Sequence, residues 1–132
     1  MKKVEIIELP RFFDSRGNLS VVEEFKQIPF EIQRTYWIYD VPGGETRGGH
    51  AYKDNEELII ALSGSFDVIL DNGADKHVYN LNRSYYGLYV PNGIWREMSN
   101  FSTNSLALVL ASKPFCREDY VRDYQEFLSN HD

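Results

Sequence analysis

Between Thr46 and Gly64 the chain reads TRGGHAYKDNEELIIALSG, and the residues able to do chemistry gather there. Arg47 and His50 flank two glycines, Tyr52 follows His50 by two positions, and Glu57 opens an apolar run. Residues two apart on a strand share a face, so His50 and Tyr52 point the same way. An imidazole titrates near neutrality and can take or give a proton. A phenol can donate to a carbonyl or carry a proton between oxygens. A second cation, Arg96, follows the turn Pro91-Asn92-Gly93. Its guanidinium is always charged and has no lone pair to offer, so it cannot ligate a divalent metal and would repel one. Pointed into an interior it must be paired, either with a ligand or with Glu57. The remaining histidines, His77 and His131, lie far along the chain, in a hairpin and at the terminus. A Zn or Fe site wants three or four ligands, so no metal is expected.

The elements that must position these residues read as strands. Val4 to Leu9 is an apolar run stopped by Pro10. Phe13 to Asn18 reads as a turn and Leu19 to Phe25 as the strand after it. In Gln33 to Asp40, alternation puts Arg34, Tyr36 and Ile38 on one face, and Thr35, Trp37 and Tyr39 on the other. Glu57 to Leu70 gives two strands broken at Ser63-Gly64, and Asp71-Asn72-Gly73 signals a hairpin. His77 to Leu81, Gly87 to Val90, Trp95 to Phe101 and Leu106 to Ala111 complete the series. Short strands with regular turn signals indicate a sandwich or barrel. From Pro114 to Asn130 the pattern changes. Tyr120, Tyr124, Phe127 and Leu128 recur at helical spacing, with Glu118 and Asp119 near the start, where the helix dipole favours acids. The expectation is one domain over 1–132, a barrel over about 1–112 and one C-terminal helix over about 115–130.

Composition narrows the function classes. The net charge of −6 argues against a nucleic-acid partner, which needs a basic face, but leaves room for a small anion held by local arginines. The 9 Tyr and 8 Phe suit strands and a lined pocket better than a helical bundle. The single Cys116 can form no internal disulfide, which fits a reducing compartment. MKKVEIIELP is too short in apolar residues and too acidic for a signal peptide, and no stretch approaches the ~20 apolar residues of a membrane span. A cytoplasmic protein with no membrane partner is expected.

Two resemblances follow from these residues. Gly44, His50, Tyr52, Glu57 and Gly64 keep the spacing of the first cupin motif, G-x5-HxH-x4-E-x6-G, with Tyr52 where the second metal-binding His would stand. Pro91, Gly93, Arg96 and Asn100 keep that of the second, P-x-G-x2-H-x3-N, with Arg96 in place of its His. More closely, the chain resembles the dTDP-sugar 3,4-ketoisomerases, the WxcM-like cupins of deoxysugar biosynthesis. The resemblance is carried by DSRGNL (14–19), IPFEIQRTYWIYD (28–40), RGGHAYK (47–53), LSGSFDVILDNG (62–73), GLYVPNGIWREM (87–98), LVLAS (108–112) and EDYVRDYQEF (118–127). It implies an all-β cupin jelly-roll barrel with one C-terminal α-helix, no metal or other cofactor, and a homodimer, for which the edge VEIIEL (4–9) is available. The implied reaction moves the keto group of a dTDP-4-keto-6-deoxyhexose from C4 to C3 through an enediol. One base titrating near 7 can serve that chemistry, and His50, the one histidine in a motif, is the candidate.

The family typically has HAHK where this chain has HAYK, so Tyr52 is either a proton shuttle or an aromatic wall. Arg16 and Arg47 are candidates to bind the diphosphate or polarise the enediolate oxygen. Arg16 and Arg96 bear on which face of C4 receives the proton. Tyr36 and Trp37 are candidates to stack on thymine or sugar, only one of which can face the pocket, with Tyr36 favoured; Glu57 is a candidate to bind substrate beside Arg96. The competing reading is a non-catalytic nucleotide-sugar-binding cupin, accessory to a sugar acyltransferase.

Overall fold

The computed structural model describes residues 3–130; His131 lies outside the described residues. Among the described residues twelve strands run in chain order: β1 Glu5–Glu8, β2 Arg11–Asp14, β3 Gly17–Ser20, β4 Arg34–Tyr39, β5 Arg47–Tyr52, β6 Glu57–Ser63, β7 Phe66–Asp71, β8 Lys76–Leu81, β9 Tyr86–Val90, β10 Trp95–Ser99, β11 Leu106–Ala111 and β12 Tyr120–Val121. One helix follows, α1 Tyr124–Ser129. Two antiparallel five-stranded sheets face each other, ordered β1-β9-β6-β11-β4 and β12-β5-β10-β7-β8, with β2 and β3 as a separate hairpin. This is the jelly-roll barrel expected of a cupin. Among the described residues no helix is long and apolar enough to cross a membrane.

Side-chain alternation decides what lies between the sheets. Ile59 and Ala61 of β6 meet Phe66, Val68 and Leu70 of β7, Met98 of β10 and Val109 of β11 in the barrel interior. Leu58 and Ile60 of β6 point the other way, under Leu9, Ile28 and Phe30 of the chain that wraps the first sheet. Both faces of β6 are therefore covered, which is why LIIA (58–61) is a continuous apolar run and not an alternating one. Behind the second sheet, Phe127 packs with Ala51, Trp95 and Val121. Each large apolar side chain fully buried in this way contributes roughly 1.5–3 kcal/mol.

Two local expectations are corrected. The stretch read as a turn and strand over 13–25 is instead the β2–β3 hairpin, with Arg11 paired to Ser20 and Asp14 to Gly17. The strand does not continue to Phe25. Glu23 N–H donates to the Gln27 side chain at 2.7 Å, and Phe25 sits at a φ of 60°, which closes a turn there. The C-terminal helix is also shorter than 115–130. A 3-10 turn at Arg117–Asp119 leads into β12, whose Tyr120 and Val121 pair with Tyr52 and Ala51 at the edge of β5. The Asp119 carboxylate accepts from the backbone N–H groups of Asp54 (2.7 Å) and Asn55 (3.1 Å), tying this segment to the barrel. Edge pairing thus takes residues that the helical period had claimed. The helix begins only after Asp123, whose side chain caps it by accepting from Gln125 N–H at 2.9 Å.

Candidate active site

The apolar interior gives way at one end to a cavity of about 500 Å³. The first sheet supplies Arg34 and Tyr36 from β4 and Glu57 from β6; the second supplies His50 and Tyr52 from β5, Arg96 from β10 and Tyr120 from β12. All are inward positions of their strands, in phase with the core residues below them. Among the described residues four arginines, Arg34, Arg47, Arg96 and Arg122, line this cavity against one carboxylate, Glu57. A chain of net charge −6 has thus gathered positive charge in one place, as an anionic ligand requires.

Arg96 and Glu57 are both buried, and Arg96 Nη1 donates to Glu57 Oε1. Glu57 Oε2 accepts from the Tyr36 hydroxyl at 2.9 Å and from Asn55 Nδ2 at 3.1 Å. Both carboxylate oxygens are thereby committed to protein donors. Glu57 thus lines the cavity, as expected, and also holds Arg96 and Tyr36 in place. Arg96 keeps two buried groups, Nε and Nη2, with no protein partner. Buried donors are almost always satisfied, so these two mark where a ligand acceptor belongs. Burial and the Glu57 charge push the Tyr36 hydroxyl well above the ordinary phenol range.

His50 lies opposite Arg96 in the β5–β10 register. Its backbone hydrogen bond is to Gly48, and its Nε2 is buried without a partner. The bond to Gly48 therefore belongs to Nδ1, whose proton the carbonyl accepts, and Nε2 keeps its lone pair aimed into the cavity. Burial, then the charges of Arg96 and Arg122, lower the imidazole pKa to about 3. This differs from the expected base near 7, because in a cavity lined by guanidinium groups a second cation is penalised.

The Tyr52 and Tyr120 rings lie 4.9 and 5.0 Å from the His50 ring, centroid to centroid. The Tyr52 and Tyr120 hydroxyls are 3.3 Å apart. Arg47 stands exposed at the rim. Arg16 is not brought to this cavity. It sits on the exposed hairpin, with its guanidinium 2.9 Å from Asp14, because the Asp14–Gly17 turn closes the arginine onto its neighbour. Trp37, alternating with Tyr36, is mostly exposed but also borders the cavity. Among the described residues no group of three His, Cys, Asp or Glu side chains could hold a metal ion.

The lining residues that were not among the sequence candidates include Arg34, Tyr120 and Arg122. Arg34 was legible from its alternation with Tyr36. Tyr120 and Arg122 also stand at strand spacing, a signal masked by the helical period that Tyr120 shares with Tyr124 and Phe127.

Comparison with known proteins adds three findings. The family described as FdtA, WxcM-like, C-terminal, matches residues 2–132. The TDP-4-oxo-6-deoxy-α-D-glucose-3,4-oxoisomerase of Aneurinibacillus thermoaerophilus is 42% identical over 123 residues, covering 93% of this chain and 88% of the relative. Among solved structures, the WlaRB TDP-quinovose 3,4-ketoisomerase of Campylobacter jejuni is 43% identical with a TM-score of 0.93, covering 98% of this chain and 100% of the other. The sugar 3,4-ketoisomerase QdtA of Thermoanaerobacterium thermosaccharolyticum, solved in complex with TDP, is 34% identical with a TM-score of 0.94, covering 96% and 93%.

Proposed function

The chain belongs to the WxcM-like FdtA family, and on that footing we propose that it is a metal-independent 3,4-ketoisomerase of deoxysugar biosynthesis, acting on a TDP-linked 4-keto-6-deoxyhexose. The observation that carries this reading is a juxtaposition. One cavity holds a buried imidazole nitrogen with a free lone pair and a buried guanidinium with two uncommitted N–H groups. A proton α to a ketone needs a base on one side and a donor to the developing enediolate oxygen on the other.

His50 Nε2 takes the C3 proton, and the Arg96 N–H groups stabilise negative charge as it develops on O4. The same imidazole returns a proton to C4, while the hydrogen on O3 is lost and one is gained on O4. Arg34, Arg47 and Arg122 carry the charge to meet the diphosphate, whose arrival offsets the field that depresses the imidazole pKa and so strengthens the base. Tyr36, its own proton held by Glu57, offers an oxygen lone pair to a sugar hydroxyl. A homodimer is part of the proposal. The hairpin of β2 and β3 leaves Phe12, Phe13 and Leu19 exposed on one chain, and a second copy would cover them.

The test is incubation with dTDP-4-keto-6-deoxyglucose in deuterium oxide, with the sugar followed by NMR. A 3-keto product carrying solvent deuterium in the C3–C4 region is expected. The non-catalytic, acyltransferase-accessory reading predicts binding with neither product nor exchange.

A further inference from the structure

Asn55 is buried, 1% exposed, in the loop between β5 and β6, and it does not line the cavity. Its side chain nevertheless reaches the site in one step. Nδ2 donates to Glu57 Oε2 at 3.1 Å, while Oδ1 accepts from Lys113 N–H at 3.0 Å and from Ser112 Oγ at 3.4 Å. These partners fix the amide's orientation. Turned over, its oxygen would face the Glu57 carboxylate and its nitrogen the Lys113 N–H. The backbone N–H of Asn55 is held separately, by Asp119 Oδ2 at 3.1 Å.

Glu57 needs such a neighbour. Arg96 bonds to it through Nη1, so the set of the carboxylate governs the plane of the guanidinium and the aim of its uncommitted Nε and Nη2. The carboxylate is itself fixed at Oε2 by two donors, Tyr36 and Asn55. Tyr36 lines the cavity from β4, the edge strand of its sheet, and meets any ligand that enters. Asn55 stands outside the cavity and is tied to the chain just after β11. Of the two donors it is the one a ligand does not reach.

We propose that Asn55 is a positioning residue for the isomerisation, setting the free Arg96 donors toward the substrate's O4 by way of Glu57. This rests on the ketoisomerase reading. His50 and Arg96 must act on adjacent groups of one sugar. A turn of the guanidinium therefore weakens its hold on the enediolate while the base stays where it is. A misplacement of about 1 Å in such a group can cost about 10²-fold in rate. The bond to Asp119 is made by the backbone and survives a change of side chain, so Tyr120 and Arg122 keep their places.

Asn55→Ala and Asn55→Asp test this, read by kcat, TDP affinity and pH profile. Asn55→Ala should lose roughly 10- to 10²-fold in kcat and equally in kcat/KM, with TDP affinity within a few-fold of wild type. Asn55→Asp keeps the shape and gives a signature that packing alone would not. Protonated, the introduced carboxyl donates to Glu57 and accepts from Lys113 N–H, as the amide does. Ionised, it sets a second carboxylate against Glu57, a state that like charges disfavour. The titratable groups that face this pair are Arg96 of β10, Tyr36 of β4, Tyr52 of β5 and Asp119 of the turn before β12. Glu56 is engaged elsewhere, by Tyr89, and Lys113 meets Asn55 through its backbone. The kcat/KM of Asn55→Asp should approach wild type near about pH 5 and fall as pH rises toward about 8, where wild type is expected to stay level. A level Asn55→Asp profile, at any height, overturns the proposal and leaves the ketoisomerase intact. So does an Asn55→Ala protein whose kcat is within about threefold of wild type, or one that loses TDP affinity as much as kcat. If Asn55→Ala does not fold, the Asn55→Asp profile decides alone. A wild-type protein giving neither product nor exchange ends both readings.

Discussion

At the scale of single residues, the site is defined by which groups are already satisfied and which are not. Both oxygens of Glu57 already accept from protein donors, whereas His50 Nε2 and two nitrogens of Arg96 are uncommitted. His50→Asn keeps the shape but removes the base, so turnover is expected to fall about 10²- to 10⁴-fold with little change in TDP affinity. A His50→Asn enzyme as fast as wild type would remove His50 from the mechanism. The pH dependence carries the same assignment further. The base works when deprotonated, and its pKa in the free protein is lowered to about 3. The kcat/KM profile should therefore show no ascending limb between about pH 5 and 8, where an ordinary histidine would give one. The limb in kcat should lie at higher pH, since the bound diphosphate offsets the arginines. Stability follows the same sign. The folded pKa lies below the unfolded value of about 6.5, so this contribution is present above pH ~6.5 and is lost progressively as pH falls toward the folded value. Arg96 gives a stability prediction of its own. Arg96→Met strands Glu57 as a buried charge without its cationic partner, at a cost of about 3–5 kcal/mol in urea unfolding. Adding Glu57→Gln should recover part of that loss, and a double variant less stable than Arg96→Met would contradict the pairing argument.

At the scale of elements, β5 and β10 matter most, because they set His50 against Arg96. Their register slips between Arg96 and Glu97, opposite Gly48. Gly48 sits at a φ of +97°, and a Cβ there would meet the Arg96 carbonyl at 3.0 Å and Glu97 Cα at 3.2 Å. Both contacts are backbone and cannot swing aside. Gly48 therefore permits the close approach, and its carbonyl holds the His50 proton. Gly48→Ala is expected to cost about 1–3 kcal/mol and to lower turnover more than TDP affinity, as the base shifts relative to Arg96. Equal losses in both would mean that the bulge serves folding alone. β12 has a comparable role on the other edge. It covers the unpaired side of β5 and brings Tyr120 and Arg122 into the cavity, while Asp123 caps the helix that follows.

For the whole molecule, the barrel separates two tasks along its interior. One end is packed with apolar side chains; the other holds the polar constellation, and the rigid strands between them fix its geometry. The β2–β3 hairpin stands apart from this plan. Phe13 is 82% exposed, Phe12 60% and Leu19 59%. So much apolar surface on one small hairpin is consistent with association. Sedimentation is expected to give twice the 15.4 kDa chain mass, and a Phe12→Ser, Phe13→Ser double variant to shift the population toward the single chain. A wild-type protein that stays at 15.4 kDa at micromolar concentration would end the dimer proposal. Arg16, at the tip of the same hairpin, has no route to the cavity described for its own chain.

The sequence by itself determined a series of short strands in a sandwich or barrel and much of the site, and the family resemblance chose the barrel. Strand periodicity and turn chemistry are local. His50, Tyr52 and Glu57 stand in one continuous stretch, and Arg96 follows a readable turn. The arginine in place of a metal-binding histidine argued against a metal from side-chain chemistry alone. Tertiary structure decided what depends on partners distant in the chain. The commitment of Glu57 to Arg96, Tyr36 and Asn55 needs three separate segments to meet. The depression of the His50 pKa needs arginines from β10 and from the chain beyond β12 to converge on one cavity. The placement of Tyr120 turned on a competition that no local pattern resolves. Its spacing fits a helix and a strand equally, and the open edge of β5 offered backbone hydrogen bonds that settled it as a strand.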